Sequence, residues 1–185
     1  PAPDGTLTEF YTEASGGLLT VQGKVLPWVR TGLTLAETVG GSFGLAGTQT
    51  GVYLTMALGL VDPGTDFGQF DSDGPDGIPN SGDDDGVVDA VAFEFAETAA
   101  SCPGPGIWPH RSSIAAWTGE PFATDDLRPN GQPVQVNGYI IQSAVDCSGA
   151  TIQNAATIAH ELGHVLGIPD LYDRTEGLVP EQRRW

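Results

Sequence analysis

A chain of 185 residues with 39% apolar side chains is long enough and apolar enough for one domain with a real core. Its formal net charge is −17 with only seven lysines and arginines, which argues against nucleic acid and anionic membrane as partners. No apolar run approaches the roughly 20 residues of a membrane span, and the first residues lack the basic start and apolar stretch of a signal peptide. The 26 glycines and 14 prolines predict many turns.

From the start, residues 6–15 have helical spacing, with Leu7, Phe10, Tyr11 and Ala14 on one face and Gly16-Gly17 as the stop. Residues 18–26 alternate in part (Leu19, Val21) and are expected to form a strand with a turn at Gly23, extended by Trp28-Val29 after Pro27. Residues 31–47 show no period. Residues 48–60 again have helical spacing, and Val52, Met56 and Leu60, with Tyr53 and Leu54 beside them, are expected in the core.

Between Asp71 and Asp89 stand seven aspartates interleaved with glycines. Calcium takes six to eight oxygen ligands, and closely spaced aspartates in a tight loop aim several carboxylates at one point. Asp71, Asp73 and Asp76 look like the first half of a calcium loop, and Asp83, Asp85 and Asp89 like a second set. The loop is not an EF-hand, because no glutamate stands at its twelfth position. Without a metal this charge density would repel itself, yet a core strand over 87–95 follows directly, with Val91, Phe93 and Phe95 on one face. Residues 99–133 are expected to be a long loop region. It holds His110, expected as a hydrogen-bonded loop histidine, and Trp108 and Trp117 as loop anchors. Residues 134–145 are expected to be one strand, with Val136, Tyr139 and Ile141. Cys102 and Cys147 are the only cysteines. The acidic composition fits an extracellular protein, and in that setting the two are expected to form a disulfide.

The stretch with the most chemistry is His160-Glu161-Leu162-Gly163-His164-Val165-Leu166-Gly167-Ile168-Pro169-Asp170. On a helix, residues four apart lie one above the other, so His160 and His164 can both point at one ion. Neutral imidazole suits zinc, and catalytic zinc takes three protein ligands. Glu161 is placed to act as general base. Ile152, Ala155, Ala159, Leu162 and Val165 supply the apolar stripe of that helix, with Ser148 or Thr151 as its cap. A left-handed residue at Gly167 would end the helix and turn Asp170 back toward the histidines as third ligand.

This motif, running on through Leu171-Tyr172-Asp173, resembles the zinc motif of the immune inhibitor A-like family of secreted bacterial metalloproteases. The acidic loop, Ile107-Trp108-Pro109-His110 and Phe10-Tyr11-Thr12-Glu13-Ala14-Ser15 extend the resemblance more weakly. It implies an α+β, metzincin-like zinc protease catalytic domain, a mixed twisted sheet beside a zinc-binding helix, exported and acting on protein substrates. Within the family pattern the third ligand is Asp170 or a later acidic residue, Glu176 or Glu181. Metzincin-like proteases place a methionine turn after the zinc helix, whereas the only methionine here is Met56. The chain is therefore expected to be a single catalytic domain over 1–185 that is incomplete at its C-terminus. A calcium-stabilised, non-catalytic secreted binding module is the alternative. The sequence leaves the oligomeric state open.

Overall fold

A computed structural model describes residues 5–47 and 49–171. Tyr172, Glu176 and Glu181 lie outside the described residues. The architecture is mixed α/β with small sheets.

Helix α1 (Leu7–Ala14) starts at a reciprocal cap: Thr6 Oγ1 accepts from the Glu9 N–H at 3.1 Å, and Glu9 accepts from the Thr6 N–H at 2.8 Å. The chain beyond it, residues 18–31, forms no strand. Among the described residues no strand pairs with it; it is tied to α1 instead, where Thr8 Oγ1 donates to the Val21 carbonyl at 2.7 Å, and Leu18, Val25 and Trp28 are exposed, while Leu19 and Val21 pack beside the last helix. Helix α2 (Leu35–Val39) rises inside the stretch that shows no period. The cap Thr34-Leu35-Ala36-Glu37 opens it, and Gly40 closes it at φ 56°.

Helix α3 (Gln49–Val61) is where expected, and Leu54 and Tyr53 join the core as expected, but the rest of its inner face differs. Thr50, Gly51, Leu54 and Leu58 are buried, whereas Val52, Met56 and Leu60 are exposed. The helix is apolar nearly all round, so periodicity cannot choose its face. Close packing chooses it: a Cβ on Gly51 would stand 2.4 Å from the Trp117 Cβ of α4 (Ile114–Thr118).

The main sheet has three strands in the order β1 (Val91–Phe95), β5 (Gly138–Ser143), β2 (His110–Ser113). β1 runs parallel to β5 and β2 antiparallel to it, with Phe93 and His110 both opposite Ile141. β5 is buried on both faces. Tyr139 and Ile141 meet Leu54, Leu58 and Ile114 on one side, and Ile140 meets Tyr11, Ala159 and Leu162 on the other. Helix α5 (Ala156–Val165) thus lies on one face of the sheet and α3 with α4 on the opposite face.

Three further expectations are corrected. Residues 99–133 are not one long loop: they hold β2, α4 and β3 (Phe122–Leu127). Residues 134–145 are two strands in different sheets, β4 (Pro133–Val136) and β5, divided at Asn137. β3 and β4 pair antiparallel across a turn containing Asn130-Gly131 with Gly131 at φ 80°. The strand expected from 87 begins at Val91, and Val87 makes only an isolated bridge to Gln135. Cys102 and Cys147 form the expected disulfide, with Cα atoms 5.1 Å apart.

His110 is in a strand, not a loop, and is held by hydrogen bonds. Its Nδ1–H donates to the Trp108 carbonyl at 2.7 Å, so Nε2 accepts from the Tyr139 hydroxyl at 2.9 Å, whose oxygen accepts from Trp117 Nε1–H at 2.6 Å. Burial pushes the imidazole below its ordinary value against the Trp108 carbonyl, which favours the cation. The unfolded chain takes up a proton near pH 6.5 that the folded chain refuses, so stability falls as pH drops below that value. Urea unfolding at pH 7.5 and 5.5, in chelator, should show a larger loss for the wild type than for His110→Gln. Equal losses would refute this role for His110.

Candidate metal centre

Helix α5 carries the candidate site. Its start corrects the expected cap. Neither Ser148 nor Thr151 caps it; the Asn154 side chain accepts from the Ala156 N–H at 3.0 Å, and Ile152 is exposed in a bridge to Val145. Its end follows the glycine rule. Gly167 has φ 83°, its N–H reaches the His164 carbonyl at 3.2 Å, and the Ile168 N–H reaches the Gly163 carbonyl at 2.9 Å. This double bond pattern is a Schellman turn, which only a residue tolerant of positive φ forms cheaply.

The turn does two things for the site. It sets the Ile168 carbonyl 2.8 Å from His164 Nδ1, whose N–H must donate there, so His164 Nε2 keeps its lone pair. It also brings Asp170 back over the helix. Asp170 Oδ1 stands 3.2 Å from His160 Nε2 and 3.3 Å from His164 Nε2. At the second contact a lone pair faces a carboxylate oxygen, an arrangement that needs a proton or a cation between the atoms. A tetrahedral zinc site with bonds of about 2.0–2.1 Å sets its donor atoms about 3.3 Å apart, so this donor set fits zinc in both type and spacing. Burial, and the neighbouring His164, hold the His160 imidazole below its ordinary value, which favours the neutral ligating form.

Glu161 is 5% exposed beside the first histidine. Burial raises its carboxyl, and His164 partly opposes this. A positioning contact that sequence reasoning missed comes from the far end of the chain: the buried Tyr11 hydroxyl donates to the Ala159 carbonyl at 2.6 Å, fixing α5 one residue before His160. The apolar face of α1 and the weak resemblance over residues 10–15 were its signals.

The six aspartates proposed for calcium separate in space. Asp71, Asp73 and Asp85 converge. Asp76, Asp83 and Asp89 do not join them; each accepts hydrogen bonds from the loop itself. A second acidic group, Asp62, Asp125 and Asp126, is explained locally, because Asp62 accepts from the Asp125 N–H and Asp126 from the Phe67 N–H. Among the described residues no helix is long and apolar enough to cross a membrane.

Comparison with known proteins bears on this geometry. Immune inhibitor A of Bacillus thuringiensis subsp. alesti is 28% identical over 186 residues, an alignment covering 91% of this chain and 26% of that protein. The pre-pro-metalloprotease PrtV of Vibrio cholerae serotype O1 (strain M66-2) is 28% identical over 180 residues, covering 91% of this chain and 19% of that protein. The chain thus spans about a quarter or less of the curated relatives it matches. The family model described as immune inhibitor A peptidase M6, catalytic domain, matches residues 4–180, almost the whole chain, and the chain belongs to that family.

Proposed function

We propose that this domain is a zinc-dependent metalloendopeptidase that hydrolyses peptide bonds in proteins outside the cell. The observation that carries this reading is the convergence of His160 Nε2, His164 Nε2 and Asp170 Oδ1 on one point, next to a buried glutamate. Membership of a peptidase family supports the class of reaction. The acidic composition and the disulfide support export.

In this reading the three convergent atoms hold zinc, and Asp170 is the third ligand. Bound there, zinc supplies a Lewis acid that polarises the scissile carbonyl and acidifies the attacking water. Glu161 takes the proton from that water onto its carboxylate and then delivers it to the departing amine nitrogen. The Ile168 carbonyl holds the His164 ring in the tautomer whose Nε2 can ligate. Tyr11 fixes the helix that carries both histidines.

The test is metal analysis after dialysis together with casein hydrolysis, with and without phenanthroline. The expected result is about one zinc per chain and cleavage that the chelator stops. Zinc without cleavage would refute the enzymatic reading and leave a non-catalytic binding module. Absence of zinc would refute the site itself.

A further inference from the structure

On the sheet face opposite the metal centre, a cavity of about 370 Å³ opens between α3, α4 and the β3–β4 hairpin. Thr55, Ile114, Thr118, Glu120, Phe122 and Gln135 line it. Gly51 lets α3 close on Trp117 of α4, and the cavity opens one turn further along, at Thr55. Its size is at the low end of the roughly 300–1,000 Å³ of ligand sites, so it has room for one long side chain and not for a folded segment.

The polar groups of the lining divide in two. The Thr55 hydroxyl donates to the Gly51 carbonyl at 2.9 Å, and the Thr118 hydroxyl to the Glu120 carbonyl at 2.7 Å. The second bond, with Gly119 at φ 91°, fixes the backbone that carries Glu120. The Glu120 carboxylate and the Gln135 amide are left over: among the described residues neither has a hydrogen-bond or ion-pair partner. Ile114 is fully buried and Phe122 half-buried, so the rest of the wall is apolar. Negative charge continues beyond the cavity. β3 runs on to Asp125 and Asp126, and Asp62 accepts from the Asp125 N–H at 3.2 Å. Among the described residues no lysine or arginine pairs with any of these carboxylates.

An apolar wall with one unpaired carboxylate and one unpaired amide oxygen suits a long side chain that ends in a cation with several donors. We propose that this cavity binds an arginine side chain from a basic segment of a partner protein. The guanidinium presents a planar fork of donors for the Glu120 carboxylate and the Gln135 amide oxygen, and its flat face suits the Phe122 ring. Its methylene stem covers the apolar wall. Lysine brings a point charge without the fork or the flat face. Asp62, Asp125 and Asp126 take further basic residues of the same segment, and a net charge of −17 draws basic proteins toward the domain. Helix α5 and its candidate metal ligands lie across the sheet, so an arginine held here is remote from any bond cleaved there. The cavity therefore anchors a whole protein and does not select the residues beside a scissile bond. The binding uses no residue of the metal centre, so it stands or falls independently of the protease reading.

The experiment titrates the full chain into a fluorescein-labelled peptide of alternating arginine and glycine and reads anisotropy, at low salt and with phenanthroline present so that no cleavage intervenes. The peptide should bind, and its lysine counterpart should bind at least about threefold more weakly. Glu120→Gln should weaken the arginine peptide about fivefold or more. Glu13→Gln, which removes the same charge from the exposed side of α1, should weaken it less than about twofold. Ala123 also lines the cavity, and Ala123→Trp fills it while keeping every charge, so binding should fall at least about tenfold. Glu120→Gln, at an exposed position, keeps the test decisive if the tryptophan disturbs the hairpin. Failure of the arginine peptide to bind would overturn the proposal, and equal binding of the lysine peptide would overturn the assignment to arginine. Equal losses in Glu120→Gln and Glu13→Gln would also overturn it, because the attraction would then be diffuse. So would a folded Ala123→Trp chain that binds as well as the wild type.

Discussion

Glu161→Gln is expected to lower kcat/KM by about 10³-fold while zinc stays at one per chain. A positioned general base and acid contributes roughly 10²–10⁴-fold, and here one carboxylate serves both proton transfers. Glutamine keeps the shape of the side chain and its buried place beside His160, but cannot accept the proton. The loss should fall on kcat and leave KM nearly unchanged, as expected for a group that acts in the transition state. His164→Ala should reach a similar loss of activity by another route, by losing the metal, because it removes one of three donor atoms. The pair of variants separates base from ligand by metal content alone. If Glu161→Gln keeps more than about a tenth of wild-type activity, Glu161 is not the base.

Cys102→Ser with Cys147→Ser is expected to cost about 4 kcal/mol of unfolding free energy, from the chain entropy of a loop whose ends are 45 residues apart. Against a typical domain stability of 5–15 kcal/mol that is a large share. The position of the bridge matters as much as its length. β1 and β5 run parallel and end together at Phe95 and Ser143, and the disulfide joins the segments that leave them. The second of these leads straight into α5. The double variant should therefore show a lower urea midpoint and a weakened grip on zinc. A stability change below about 1 kcal/mol would show that packing alone holds these exits.

Helix α5 and the convergence of His160, His164 and Asp170 were legible because their information is local. The spacing of His160 and His164, the glycine that ends the helix and the aspartate three residues beyond it are all fixed within eleven positions. Two local signals were passed over although they were present. Thr34 and Glu37 spell the reciprocal cap of α2, and Asn130-Gly131 spells the turn between β3 and β4. Other features were not local at all. A strand over 18–26 was inferred from alternation, but a strand needs a partner, and nothing in a single segment says whether one will come. The inner face of α3 was decided by how closely Trp117 approaches Gly51, a contact across 66 positions that the apolar pattern of the helix cannot reveal. The split of Val136 from Tyr139 into two sheets has the same origin: both segments read as strand, and only their partners distinguish them. Among the aspartates of 71–89, sequence could not tell those that face the loop's own donors from Asp71, which is buried.

The bond from Tyr11 to Ala159 spans 148 positions, and this bears on timing. Synthesis runs from α1 toward α5, so α1 is made long before the helix it docks on, and the face around Tyr11 waits uncovered until α5 follows. The residues that converge at Asp170 are among the last described to emerge. All three strands of the sheet beneath α5 precede it in the chain, so the three donors converge only after the surface they rest on has been made.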